Sequence, residues 1–132
     1  MKTHNLRINQ LSPKAYEWYI EYLNALDSLD IEAYSKFLAP DCSVQSNNNP
    51  PMEGKQVVVQ GLAAYWESFA SLEHDLLNLY GNDSSFVLEA LNHYKRNDGQ
   101  PLTIRAVAFT DRNKEGLVTS VRFYTDTTPL FA

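Results

Sequence analysis

Leu38-Ala-Pro-Asp-Cys-Ser-Val44, with Asn47-Asn-Asn-Pro-Pro-Met-Glu-Gly54 just beyond it, marks the point where a helical N-terminal third gives way to a strand-rich C-terminal half. Pro40 lacks an amide hydrogen and fixes its own φ, so a helix arriving from upstream stops there. Cys42 to Gln45 can make only a short strand, and the Asn/Pro run reads as irregular loop until Gly54 restarts the chain. A loop at such a junction tends to rim a pocket.

Upstream, Ser12-Pro13 is a hydroxyl cap followed by proline at the first helical position. Ala15, Trp18, Tyr19, Tyr22, Leu23 and Leu26 then recur at helical spacing, which predicts a helix to about Leu26. Asp30 caps a second, short helix with Ile31, Tyr34, Phe37 and Leu38 on one side, closed by Pro40. Downstream, Val58, Leu62, Tyr65, Trp66 and Phe69 form the stripe of a third helix between Lys55 and Ser71, its first turns weakened by Val57-Val58-Val59 and Gly61.

After Leu72 the texture changes to strand-length segments separated by Gly81-Asn82-Asp83, Asn97-Asp98-Gly99 and Asn113-Lys114-Glu115-Gly116. They predict a four-stranded meander at roughly 72–80, 85–96, 102–111 and 117–126. Along 85–96 one face carries Phe86, Leu88, Ala90, Asn92 and Tyr94, and the other Val87, Glu89, Leu91, His93 and Lys95. Both faces are partly apolar. The reading is an α+β fold, three N-terminal helices packed on one side of a curved antiparallel sheet, whose second face meets another copy to make a homodimer.

Composition narrows the partners. At 132 residues with 44% hydrophobic and 20% charged residues, the chain reads as one domain over 1–132 that needs no disulfide or metal to hold its core. The net charge of -5, with no basic cluster beyond Lys95-Arg96, argues against nucleic acid. No apolar run approaches the ~20 residues that span a bilayer, so no membrane partner is expected. Cys42 has no second cysteine to pair with, and Met1 to Leu11 lack the apolar core of a signal peptide, which makes a reducing cytoplasm the expected compartment.

This element order resembles the nuclear transport factor 2-like superfamily, in particular its SnoaL-like polyketide cyclase and ketosteroid isomerase group. The resemblance runs over nearly the whole chain from Pro13. It is carried by Ala25-Leu26-Asp27-Ser28-Leu29-Asp30 through Phe37-Leu38-Ala39-Pro40-Asp41, by Pro50-Pro51-Met52-Glu53-Gly54, and by Val121-Arg122-Phe123-Tyr124-Thr125-Asp126-Thr127-Thr128-Pro129-Leu130. These are fold-level motifs, on a scaffold that hosts enzymes, binding proteins and dimerisation modules. The resemblance implies a cone-shaped half-barrel that holds a small hydrophobic molecule with polar groups, and no cofactor.

Set beside the ketosteroid isomerases, Tyr22 falls where they keep the tyrosine that donates to the developing enolate oxygen. Their general-base aspartate falls at Ser46, and their oxyanion-hole aspartate near Arg105. Against the limonene epoxide hydrolases, the water-binding positions hold Val44 and Ser46, and the aspartate-arginine-aspartate set is replaced by Asn92, Ala90 and Phe123. Neither machinery is carried over whole.

Two residues remain as proton carriers. His74 opens the first long strand where SnoaL-like proteins often show histidine, and imidazole suits acid/base work near neutrality. The plainer reading is a strand-edge histidine bonded to backbone. Asp126 stands where SnoaL-like cyclases place an acid; buried, its carboxyl would have a raised pKa, and otherwise it caps the turn before Pro129. Arg122 is four residues back, about 13 Å along the strand, so the two find separate partners.

Tyr19, Tyr22, Trp66, Phe86, Tyr94 and Phe109 suit a core, or the wall of a cavity for a flat molecule. Asn92 on an inward face is the sharper clue, because a buried amide must be hydrogen-bonded by something. Arg105 is a candidate for a ligand carboxylate or an interface salt bridge. Adjacent His74 and Asp75 point to opposite faces and offer no metal site. Two functions follow: an isomerase, cyclase or dehydratase acting by proton transfer with His74, Asp126 and Tyr22 as catalytic residues and Tyr19, Trp66, Asn92 and Arg105 binding the ligand; or a non-catalytic dimeric ligand-binding domain.

Overall fold

The computed structural model describes residues 1–132. Four helices pack on a large open sheet, as the α+β reading requires: α1 (Pro13–Asp27), α2 (Ile31–Ser35), α3 (Lys55–Trp66) and the single turn α4 (Thr128–Phe131). The strands are β1 (Ile8–Asn9), β2 (Leu38–Ser46), β3 (Met52–Glu53), β4 (Ser71–Gly81), β5 (Ser85–Lys95), β6 (Pro101–Arg112) and β7 (Val118–Thr125). Their order is β1-β4-β5-β6-β7-β2-β3, so the meander β4 to β7 forms the centre. No helix is long and apolar enough to cross a membrane.

Local chemistry explains the helix ends. Ser12 accepts from the Ala15 amide at 3.1 Å and donates its hydroxyl to Asp83 at 2.6 Å, so the cap of α1 is also tied to the β4–β5 turn. Asp30 caps α2 through the Ala33 amide at 3.1 Å. The buried face of α1 carries Ala15, Tyr19, Tyr22, Leu23 and Ala25. Tyr22 reaches across to Tyr34 of α2, hydroxyl to hydroxyl at 2.7 Å, and both rings are buried.

Three boundaries differ from the sequence reading. The strand after α2 is nine residues long, not four, and contains Pro40. Its parallel pairing with β7 jumps from Leu38↔Val118 to Ser43↔Ser120, so Pro40 occupies a bulge where a missing amide breaks no ladder bond. Helix α3 ends at Trp66 instead of running to Ser71, because the Ala70 amide turns to the Lys95 carbonyl at 2.8 Å and starts the sheet. Finally, β1, β3 and α4 were not foreseen: each is too short to leave a periodic pattern.

Register decides which side chains face the helices. His74 pairs with Asn92 and Asn92 with Ile104; Ala90 pairs with Ala106 and Leu88 with Ala108; Phe123 lies opposite Ala108. The concave face thus holds alanines at its centre and larger groups around them. On the convex face Arg105 is exposed, one residue out of phase with Ala106.

Two expectations concern stability. Gly81 has φ +122, and a Cβ there would lie 2.4 Å from the Ser85 carbonyl oxygen. Gly81→Ala should lower the unfolding free energy by about 1–3 kcal/mol, read from the urea midpoint. Burial pushes the Tyr34 phenol from 10.0 up to about 12, and burial with Tyr34 alongside also raises the Tyr22 phenol. A phenol whose folded pKa lies above its unfolded value stabilises fully below the unfolded value, and that contribution is lost as pH rises through the folded one. Stability should therefore hold to pH 10.0 and then fall by about 1.4 kcal/mol per pH unit per phenol, and Tyr34→Phe should make that fall shallower.

Candidate functional site

Small residues at the sheet's centre leave a space the helices do not fill. Ala90, Ala106 and Ala108 lie beneath a cavity of about 100 Å³ that is walled above by Tyr22, Tyr34 and Trp66. Since ~10–15 Å³ admits one water, the space suits a small organic molecule and is too small for a large polycyclic one. Eighteen of its 22 lining residues are hydrophobic, so a ligand must be mostly apolar.

The few polar groups carry the chemistry. His74 enters from β4, where its ring Nδ1 lies 2.5 Å from Asp27 Oδ1 and its backbone amide donates to Asp27 Oδ2 at 2.9 Å. With Nδ1–H donating to the carboxylate, Nε2 is left as the free acceptor nitrogen on a ring that lines the cavity. Asp27 closes α1, at the end where the helix dipole disfavours an anion, and the two bonds from His74 offset that. The Met1 amino group lies 3.5 Å from the same carboxylate.

Opposite stands the Tyr22–Tyr34 pair. In such a pair one hydroxyl donates to the other, which leaves one O–H to donate elsewhere. Burial raises both pKa values, so the phenols stay protonated donors near neutrality. Asn92 on β5 completes the set, with Tyr94 and Tyr65 next to it. Burial pushes the Tyr94 phenol up, an effect that Asn92 and Tyr65 beside its hydroxyl offset.

Of the residues singled out from sequence, the cavity brings together Tyr19, Tyr22, Trp66, His74, Asn92 and Tyr94. Phe86 packs in the core outside it, Phe109 is exposed on the convex face instead of buried, and Asp126 and Arg105 also stay away. Asp126 is exposed and accepts from the Thr128 amide at 3.0 Å, and the Thr128 hydroxyl and amide hold its carboxyl below the usual value, the reverse of the raised acid a buried site would give. Arg105 lies on the convex face, because alternation along β6 sends Ala106 inward. Arg122, as expected, finds a partner other than Asp126, namely Asp111 at 2.9 Å.

Sequence reasoning missed Asp27 and underused Tyr34. Asp27 was read only as part of a helix-turn-helix; the available signal was an acid in the last turn of a helix, a position that calls for a compensating donor. Tyr34 was placed on the apolar side of α2 without a role for its hydroxyl.

Comparison with known proteins agrees with this architecture. The SnoaL-like domain family matches residues 19–121. No curated protein sequence matches the chain. Among solved structures, a chain from Jannaschia sp. CCS1 that bears the name SnoaL-like polyketide cyclase superposes with a TM-score of 0.78 at 16% identity, over 95% of this chain and 94% of the other. An LEH-like epoxide hydrolase from M. tuberculosis gives 0.72 at 15% identity, over 89% and 86%. An NTF2-like protein of unknown function from Burkholderia pseudomallei K96243 gives 0.78 at 13% identity, over 91% and 96%. At these identities the structures speak for the fold alone. The family match, covering most of the chain, goes further: this protein belongs to the SnoaL-like domain family, on an NTF2-like fold.

Proposed function

We propose that the protein is a cofactor-independent isomerase or cyclase that moves a proton on a small hydrophobic carbonyl compound, with His74 as the base. The observation that carries this reading is the His74–Asp27 pair on the cavity wall, which fixes the ring and leaves Nε2 free to accept a proton. In the proposed step Nε2 takes a proton from the carbon next to the carbonyl, and the bonding electrons move onto the carbonyl oxygen. The free O–H of the Tyr22–Tyr34 pair donates to that enolate oxygen, and Asp27 stabilises the imidazolium. Return of the proton at another carbon gives isomerisation; attack of the enolate carbon on a second carbonyl, whose oxygen takes the proton back from Nε2, gives cyclisation. Trp66 and Tyr19 shape the apolar wall.

A non-catalytic ligand-holding role is the second reading, and the exposed position of Asp126 favours it, because only one proton carrier remains at the cavity. One experiment separates the two: deuterium exchange at the α-carbon of cyclohexanone and related small ketones, followed by NMR in D2O. Wild type should accelerate exchange, and His74→Ala should reduce the acceleration about 100-fold or more. Asp27→Asn should reduce it less, because the base survives but loses its orientation. Binding of the ketones with no exchange would establish the second reading, and full exchange by His74→Ala would remove His74 from its role.

We also propose a homodimer through the convex face. Phe109 is 39% and Tyr124 49% exposed there, their rings edge to face at 5.9 Å, beside the Arg122–Asp111 ion pair. Exposed neighbouring aromatics framed by charge fit an isologous contact. Sedimentation should show a dimer for wild type and a monomer for a Phe109→Glu, Tyr124→Glu variant; a wild-type monomer at all concentrations would contradict it.

A further inference from the structure

Asn92 sits mid-strand on β5, between His74 on β4 and Ile104 on β6. The residue is 6% exposed, and its Oδ1 is the one buried side-chain nitrogen or oxygen in the chain that has no hydrogen-bond partner. A buried polar atom left in that state is costly, whereas a leucine of similar shape would carry no such cost among these neighbours. Tyr94 lies beside the amide and engages it. The neighbouring polar groups also have partners: His74 Nδ1 has Asp27 and the Tyr22 hydroxyl has Tyr34. The unmet acceptor therefore belongs to what enters the cavity.

Charge and position define that molecule. No lysine or arginine lines the cavity, and the carboxylate of Asp27 stands behind His74, so an anionic ligand would have no lysine or arginine to pair with. His74 and Asn92 are direct cross-strand partners whose side chains share the concave face, an arrangement that puts their β-carbons about 5 Å apart. A donor bound at Asn92 Oδ1 thus lies within a few bonds of the carbon whose proton His74 would take.

Resting on the proton-transfer reading of the same cavity, we propose that the substrate class is an uncharged hydroxy-carbonyl compound, its hydroxyl donating to Asn92 Oδ1 beside the reacting carbon. Asn92 is the residue that selects the hydroxyl. A ligand whose oxygen is methylated keeps the acceptor, gains apolar surface and loses the donor, and should bind worse despite its added methyl.

The test is calorimetric binding of 3-hydroxycyclohexanone, 3-methoxycyclohexanone and 3-oxocyclohexane-1-carboxylate to wild type, Asn92→Leu and Asn92→Ala. Wild type should bind the hydroxy ketone about tenfold or more tighter than the methoxy ketone, and should not bind the carboxylate. Both variants should lose that preference, and Asn92→Leu should melt no lower than wild type because it removes an unmet polar group. Equal binding of the two neutral ketones by wild type, a preference retained in both variants, or tight carboxylate binding would overturn the proposal. Binding with the expected preference but without α-carbon exchange would sink the catalytic reading and leave the ligand class standing. Absence of binding by all three would overturn the ligand class and the cavity reading together.

Discussion

The contact between Asp27 and His74 joins the last residue of α1 to the start of the central sheet, across 47 positions of sequence. It does three things at once. It meets the β4 backbone amide of His74, compensates a carboxylate at a helix end where the dipole opposes it, and fixes one imidazole nitrogen so that the other is free. If that contact were broken, α1 would lose a polar anchor to the sheet and the imidazole its orientation. Both architecture and chemistry depend on it.

Around this anchor the cavity arises from what the sheet lacks. A concave face with leucines at Ala90, Ala106 and Ala108 would press against the helices and close the space. The alanines hold it open, and the aromatic rings of α1, α2 and α3 are stiff enough to span it. Into an apolar space of this size the chain places an imidazole, a phenol pair and one unmet amide oxygen. Such a set is spare but ordered, since each group except the amide oxygen is held by a protein partner.

Much of the fold was legible because its signals are local. The Ser12-Pro13 and Asp30 caps, the turn clusters after Gly81, Asn97 and Asn113, and alternation along β5 mark elements without reference to tertiary structure. The site was legible only in part, for reasons that particular residues make plain. His74, Tyr22 and Asn92 could be placed because strand alternation and helix spacing orient them. Asp27 could not, because its role exists only once the end of α1 meets β4. Arg105 lies outside the cavity because single-residue phase along β6 sends Ala106 inward instead, and Asp126 takes the turn-capping role that was its other reading, where the chain leaves β7 for α4. The long β2 was hidden by Pro40, which stops a helix but is tolerated at a bulge.

Set beside the ketosteroid isomerases and limonene epoxide hydrolases that the sequence resembles, this chain does not carry their aspartate sets: Ser46 and Asn92 fall where that resemblance places acids. In their place stands one oriented imidazole, and the proposed proton transfer rests on the protonation pattern of that ring. Long-range nitrogen–proton NMR correlation on the histidines of the wild-type protein, at a pH where His74 is neutral, reads it directly. The expected result is the His74 proton on Nδ1, toward Asp27, with Nε2 bare. A proton on Nε2 would make the free nitrogen a donor and not a base, and would remove His74 from the proposed step.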